Sequence, residues 1–206
     1  MTPLRAALLA GLAAPVIYAV AVVAGDWFDP RYNAVANTIS ELTMVGAPSR
    51  VAVAAVFVVY NFLVIAFALA LPRAMAGANR RGIAVAALLL IVVAAAGLGM
   101  SALFPTDMPG APLTAVGTAH IALAAVASLG TMATVGAVAW ATWRAPGWRG
   151  VAMLSVVCLA AIVATGLWTA ATTAQLAPTM GLAERATIGS FEVWLFALAA
   201  LVLRRQ

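Results

Sequence analysis

Glu192 and His120 are ionisable residues embedded in long apolar stretches, where such groups are costly and mark a site by default. The other acids are Asp26, Asp29, Glu41, Asp107 and Glu184. Proton chemistry needs a carboxylic acid and an orienting partner. Glu192, Glu41 and Asp107 offer the acid, and His120 offers a partner. Metal-assisted hydrolysis takes about three ligands from histidine, cysteine or carboxylate. With one histidine in the chain, a divalent metal at the carboxylate and histidine cluster is a lesser option, and no cofactor is expected. Serine hydrolysis needs a base-activated hydroxyl. Ser40, His120 and Asp107 would have to form it, and no GxSxG elbow occurs. The catalytic candidates are therefore Glu41, Asp107, His120 and Glu192. Tyr60, Trp168, Phe191 and Trp194 can serve as walls. Aromatic faces stabilise cations, which suits a cyclase or isomerase of an isoprenoid entering from lipid.

These residues must be positioned by membrane helices. Mean hydropathy is +1.09, 66% of residues are hydrophobic and 8% are charged. Six apolar runs approach the roughly 20 residues of a bilayer crossing. The expected spans are 5–25, 51–71, 83–103, 115–139, 151–173 and 187–203, an all-α bundle of one domain over 1–206. The first run is longer than a signal-peptide core and is expected to remain as a span. The single cysteine, Cys158, forms no intrachain disulfide and reads as a packed thiol.

Eight arginines (5, 73, 80, 81, 144, 149, 204 and 205) fall at the termini and in the even loops, and Arg31, Arg50 and Arg185 in the odd loops. By the positive-inside rule both termini are expected in the cytoplasm, with the acidic end facing out of the cell membrane. Arginines scattered beside spans are explained by topology, and no nucleic-acid partner is expected. Membrane lipid and a lipid-soluble small molecule are the expected partners.

In the first odd loop, Val35, Ile39 and Leu42 share one side of a helical wheel, with Asn33, Asn37, Ser40 and Glu41 opposite. This predicts a short amphipathic helix in the interface. Its polar stripe would lid a pocket, so Tyr32, Asn33, Asn37 and Ser40 join Tyr60, Trp168, Arg185 and Trp194 as substrate-binding candidates. Stripes of small and hydroxyl residues on the fourth and fifth spans, Gly117 to Thr134 and Ser155 to Thr172, read as packing faces.

Four signatures occur in order: YNxxxNTISEL (Tyr32 to Leu42), FPTDxxG (Phe104 to Gly110), GxxH (Gly117 to His120) and GLAER (Gly181 to Arg185). In their six-span context they resemble a family of bacterial and archaeal membrane proteins called domain of unknown function 998. The resemblance implies the same topology and marks Asn37, Ser40, Glu41, Asp107, His120, Glu184 and Arg185, without naming a reaction.

Structural roles compete at each position. Thr38-x-x-Glu41 is a capping box. Asp107 suits a helix cap or a loop tie, and Glu184 suits a helix N-terminus. Arg185 and Glu192 are seven residues apart on one face and would pair structurally. If the fourth helix starts near Leu113 and the sixth near Glu184 to Thr187, His120 and Glu192 both lie about 8–12 Å inside and can meet. The leading expectation is an enzyme with an outward polar pocket performing acid–base chemistry on a lipidic or isoprenoid substrate, as cyclase, isomerase or hydrolase. The alternatives are a lipid-binding protein, a transporter or a structural partner subunit.

Overall fold

The computed structural model describes all residues 1–206. Six helices carry the chain: α1 Pro3–Phe28, α2 Arg50–Ala74, α3 Arg80–Ala102, α4 Ala115–Trp143, α5 Arg149–Ala174 and α6 Met180–Leu203. Each is long and apolar enough to cross a membrane, so the chain is a six-span integral membrane protein. Successive helices pack on one another, and α6 returns to α1, which closes a ring. Each connection reverses direction. Loops 29–49, 103–114 and 175–179 therefore gather at one end, the lid end, and loops 75–79 and 144–148 at the other, the arginine end.

Close approach through small residues holds the ring. A methyl group added at Gly11 would strike Phe67, at Gly82 Ala141 and Trp140, and at Gly130 Val93. This is the small-residue packing that membrane helices use in place of a hydrophobic drive. The main core fills the arginine half, with Leu8, Phe67, Leu71, Ile83, Val138 and Leu198 buried. Its base is tied: the Arg205 guanidinium sits 4.3 Å over the Trp148 ring, and the Gln206 amide donates to the Ala74 carbonyl at 3.1 Å.

Two expectations need correction. The sixth helix begins at Met180, seven residues before the expected 187, so the GLAER signature is its first turns and not a loop. The first odd loop does hold a short helix, but only a single 3-10 turn, α-helical nowhere, over Ile39–Thr43. Asn33 prevents a longer one: its Oδ1 accepts from the Val35 N–H at 2.9 Å, while Asn37 Oδ1 accepts from the Asn33 N–H at 2.8 Å. Such local side-chain bonds compete with helical backbone pairing. Ile39 and Leu42 do bury, against Ala21, Val53 and Phe57, but Val35 of the same expected stripe stays exposed.

Candidate functional site

The lid half of the ring is hollow. A cavity of about 620 Å³ lies there, within the size range of small-molecule sites. All six helices contribute, from Tyr18 on α1 to Glu192 on α6, and Ile39, Ser40 and Thr43 of the lid roof it. The lining stops at Val64, Val93, Met132, Ile162 and Glu192. Below them the packed core occupies the ring, so the cavity is blind toward the arginine end.

Glu192 forms its floor. The Tyr60 hydroxyl donates to Glu192 Oε1 at 2.6 Å across the ring. Glu192 Oε2 is buried and has no hydrogen-bond partner. A buried polar atom left unpaired costs about 1–3 kcal/mol, more when charged, and calls for an explanation. Tyr60 is itself held by aromatic neighbours: Tyr18 lies 5.0 Å from it and 4.8 Å from Phe57, centroid to centroid. Next to Tyr60 in the chain, Asn61 donates its amide to the Phe57 carbonyl at 2.7 Å and rests its Oδ1 against Gly97.

His120 stands on the opposite wall. Its Nδ1 is 2.7 Å from the Phe104 carbonyl. A carbonyl can only accept, so Nδ1 carries a proton in this bond and Nε2 is the ring nitrogen left without a protein partner. Glu184, nearer the roof, accepts from the Ile39 N–H and so fastens the lid to α6.

Several sequence candidates do not reach the cavity. Asp107 ties its own loop to the start of α4, accepting from the Thr114 N–H at 2.8 Å and the Thr114 hydroxyl at 2.9 Å. A methyl group at Gly117 would overlap that carboxylate, which accounts for the glycine of the GxxH signature. With Asp107 so engaged and His120 bonded to a carbonyl, the Ser40–His120–Asp107 triad is not assembled, although Ser40 and His120 both line the cavity. Glu41 turns back on its own segment. Its Oε1 accepts from the Thr38 N–H and hydroxyl at 2.8 and 3.0 Å, and its Oε2 from the Asn37 amide at 2.8 Å. The carboxylates and His120 do not converge into any set of three or more that could hold a metal ion.

Arg185 is not the partner of Glu192. Its guanidinium donates to the Ala34, Asn37 and Gly181 carbonyls at 2.7, 2.8 and 3.1 Å and to the Tyr32 hydroxyl. That hydroxyl donates in turn to the Thr38 carbonyl at 2.8 Å. Burial pushes the Tyr32 phenol up to about 12 despite the neighbouring guanidinium, so it remains a donor at neutral pH. Tyr32, Asn33, Asn37 and Arg185 thus form the latch of the lid and lie outside the cavity lining. Trp194 is fully buried between α6 and α5, donating to Ser155 Oγ at 3.0 Å. Trp168 is 39% exposed on the outside of α5. Of the proposed walls, Tyr60 and Phe191 line the cavity.

His120 and Glu192 share the cavity but not a depth. His120 is five residues into α4 and Glu192 twelve into α6, or about 7 and 18 Å along their helices. Sequence reasoning passed over Tyr18 and Asn61. Asn61 had a usable signal, being the only Asn or Gln deep within a span.

The family described as "Protein of unknown function (DUF998)" matches residues 12–201, and the chain belongs to it. No curated protein and no solved structure matches the chain.

Proposed function

We propose that this protein is a membrane-embedded enzyme using Glu192 as its acid–base group on a lipidic or isoprenoid substrate. The observation that carries this reading is the buried, unpartnered Oε2 of Glu192, a residue that lines a largely apolar blind cavity while Tyr60 holds its other carboxyl oxygen. A carboxyl fixed through one oxygen and free at the other is arranged to give or take a proton. The aromatic faces of Tyr18, Phe57, Tyr60 and Phe191 suit a substrate that develops positive charge. A blind cavity fits an enzyme better than a transporter, whose path must continue to the arginine end. The arginine asymmetry supports a cell-membrane location with both termini cytoplasmic, which places the lid outside.

The test is proton exchange. Protein reconstituted in vesicles in deuterated water is incubated with unsaturated isoprenoid lipids, and products are read by mass spectrometry. Wild-type protein is expected to introduce deuterium or form an isomer, and Glu192→Gln to lose at least about a hundredfold, the scale of general acid–base contributions. Equal conversion by Glu192→Gln would falsify the assignment.

A further inference from the structure

We infer that the cavity opens sideways into the lipid between α4 and α5 and takes an amine-headed amphiphile, its ammonium group against Glu192. This rests on the cavity being the substrate site.

The opening is visible along one seam. At the arginine end α4 and α5 are in contact: Ala139 and Ala152 are buried, and Gly136 faces Leu159. Toward the lid end the same faces come apart. On α4 the residues facing α5 run from half-buried Met132 to exposed Ser128 and Ile121. On α5, Val163 is 40% and Leu167 69% exposed. Ser128, Val163 and Leu167 also line the cavity, so the gap between the helices is continuous with it. Neighbouring seams are shut at this level. Leu123 of α4 fills the space over Gly99 of α3, and Thr169 of α5 bonds Thr187 of α6 at 2.9 Å. A mouth lined by valine and leucine at bilayer depth admits an apolar chain from lipid, not a solute from water.

The head group follows from the unused hydrogen-bonding atoms. Glu192 Oε2, Asn61 Oδ1 and His120 Nε2 receive no protein donor, and each can accept a hydrogen bond, Glu192 when ionised and His120 when neutral. The donors nearest Glu192 are mostly committed, while the hydroxyls of Tyr18, Ser128 and Thr131 line the cavity without a bond inside the protein. The Tyr60 hydroxyl serves Glu192, and Ser101 and Thr187 donate to the Gly97 and Ala183 carbonyls of their own helices. The lining holds two carboxyl groups, Glu184 and Glu192, and no arginine, and the chain has no lysine. Four aromatic rings surround this acceptor-rich floor, and aromatic faces attract ammonium groups. An ammonium supplies donors in three directions and the countercharge that an ionised Glu192 lacks.

The probes are dodecylamine and dodecanol, equal in chain length and different in head. Each is titrated into the protein in phosphatidylcholine nanodiscs, with one-to-one adducts read by native mass spectrometry and stability by thermal unfolding. Dodecylamine is expected to form the adduct and raise Tm, and dodecanol to bind at least tenfold more weakly. Glu192→Gln should cost tenfold or more in amine affinity. Ser128→Trp, at an exposed position in the mouth, should block the adduct without changing the Tm of the free protein. Equal binding of the alcohol, or wild-type amine binding by either variant, overturns the proposal. Should Glu192→Gln not fold, the amine–alcohol pair and Ser128→Trp decide alone. Proton exchange that depends on Glu192 in a protein that ignores dodecylamine retires this inference and leaves the enzyme reading standing. Selective amine binding without any exchange does the reverse.

Discussion

Gly181 lies so close beneath the Asn37 carbonyl that no side chain fits between them. The start of α6 and the lid are joined there without a spacer. The Leu182 N–H donates to the Val35 carbonyl at 2.9 Å, and Arg185 clamps the same stretch from the next turn. The glycine and arginine of GLAER and the tyrosine and asparagines of YNxxxNTISEL are thus two halves of one joint.

Gly181→Ala should therefore lift the lid. Forcing a methyl group against fixed backbone typically costs about 1–3 kcal/mol, to be read as a lower melting temperature. Gly189, on the same helix with nothing within 4 Å of an added methyl, is the control. Gly189→Ala should be neutral or gain up to about 1 kcal/mol in helix propensity.

Glu192 should couple energetically to Tyr60 and not to Arg185. In a double-mutant cycle on thermal stability, Glu192→Gln with Tyr60→Phe should deviate from additivity by about 0.5 kcal/mol or more, as contacting residues do. Glu192→Gln with Arg185→Leu should be additive within about 0.5 kcal/mol. Strong coupling in the second cycle would restore the ion pair that the present geometry replaces.

Asp107 should matter to the loop and not to the cavity. Asp107→Ala removes two hydrogen bonds at a partly exposed site, a loss of about 1 kcal/mol or somewhat more. Turnover and ligand affinity of the folded protein should stay within about twofold of wild type. A hundredfold loss of turnover with unchanged Tm would return Asp107 to the chemistry.

Topology is tested by labelling. In a Cys158→Ala background, a cysteine at Pro109, exposed in the lid-end loop, should react in intact cells with a membrane-impermeant thiol reagent. A cytoplasmic reporter fused after Gln206 should be active. The opposite pattern would turn the lid inward.

The spans were legible because uninterrupted apolar runs of about 20 residues admit little else. The start of α6 was not, since Glu184, Arg185, Thr187, Gly189 and Ser190 depress hydropathy while the backbone is already helical. Glu184 and Arg185 are tolerated because the lid supplies their partners, a tertiary fact with no local trace, while Thr187 and Ser190 bond carbonyls of their own helix. The spacing of Val35, Ile39 and Leu42 suggested a helix, but two asparagines rewired the backbone between them. His120 and Glu192 were found from cost alone: each is an ionisable group inside an apolar helix. The bond between Tyr60 and Glu192 joins residues 132 apart, and periodicity along single helices carries no information on such pairs. Tyr32, Asn33, Asn37 and Arg185 stood out as substrate-binding candidates, yet in the structure they hold one another outside the cavity lining.

The ring order has a bearing on biogenesis. Glu192, Glu184 and Arg185 all sit on α6, which leaves the ribosome after the other five helices of the ring, and α6 also closes the ring against α1. Five inserted helices would form an open crescent whose future cavity wall faces lipid, with neither its carboxyl groups nor a fastened roof. The unpartnered carboxyl of Glu192 and the clasp of the lid arrive with the same segment, so a chain stalled before Met180 can neither close the cavity nor fasten its roof.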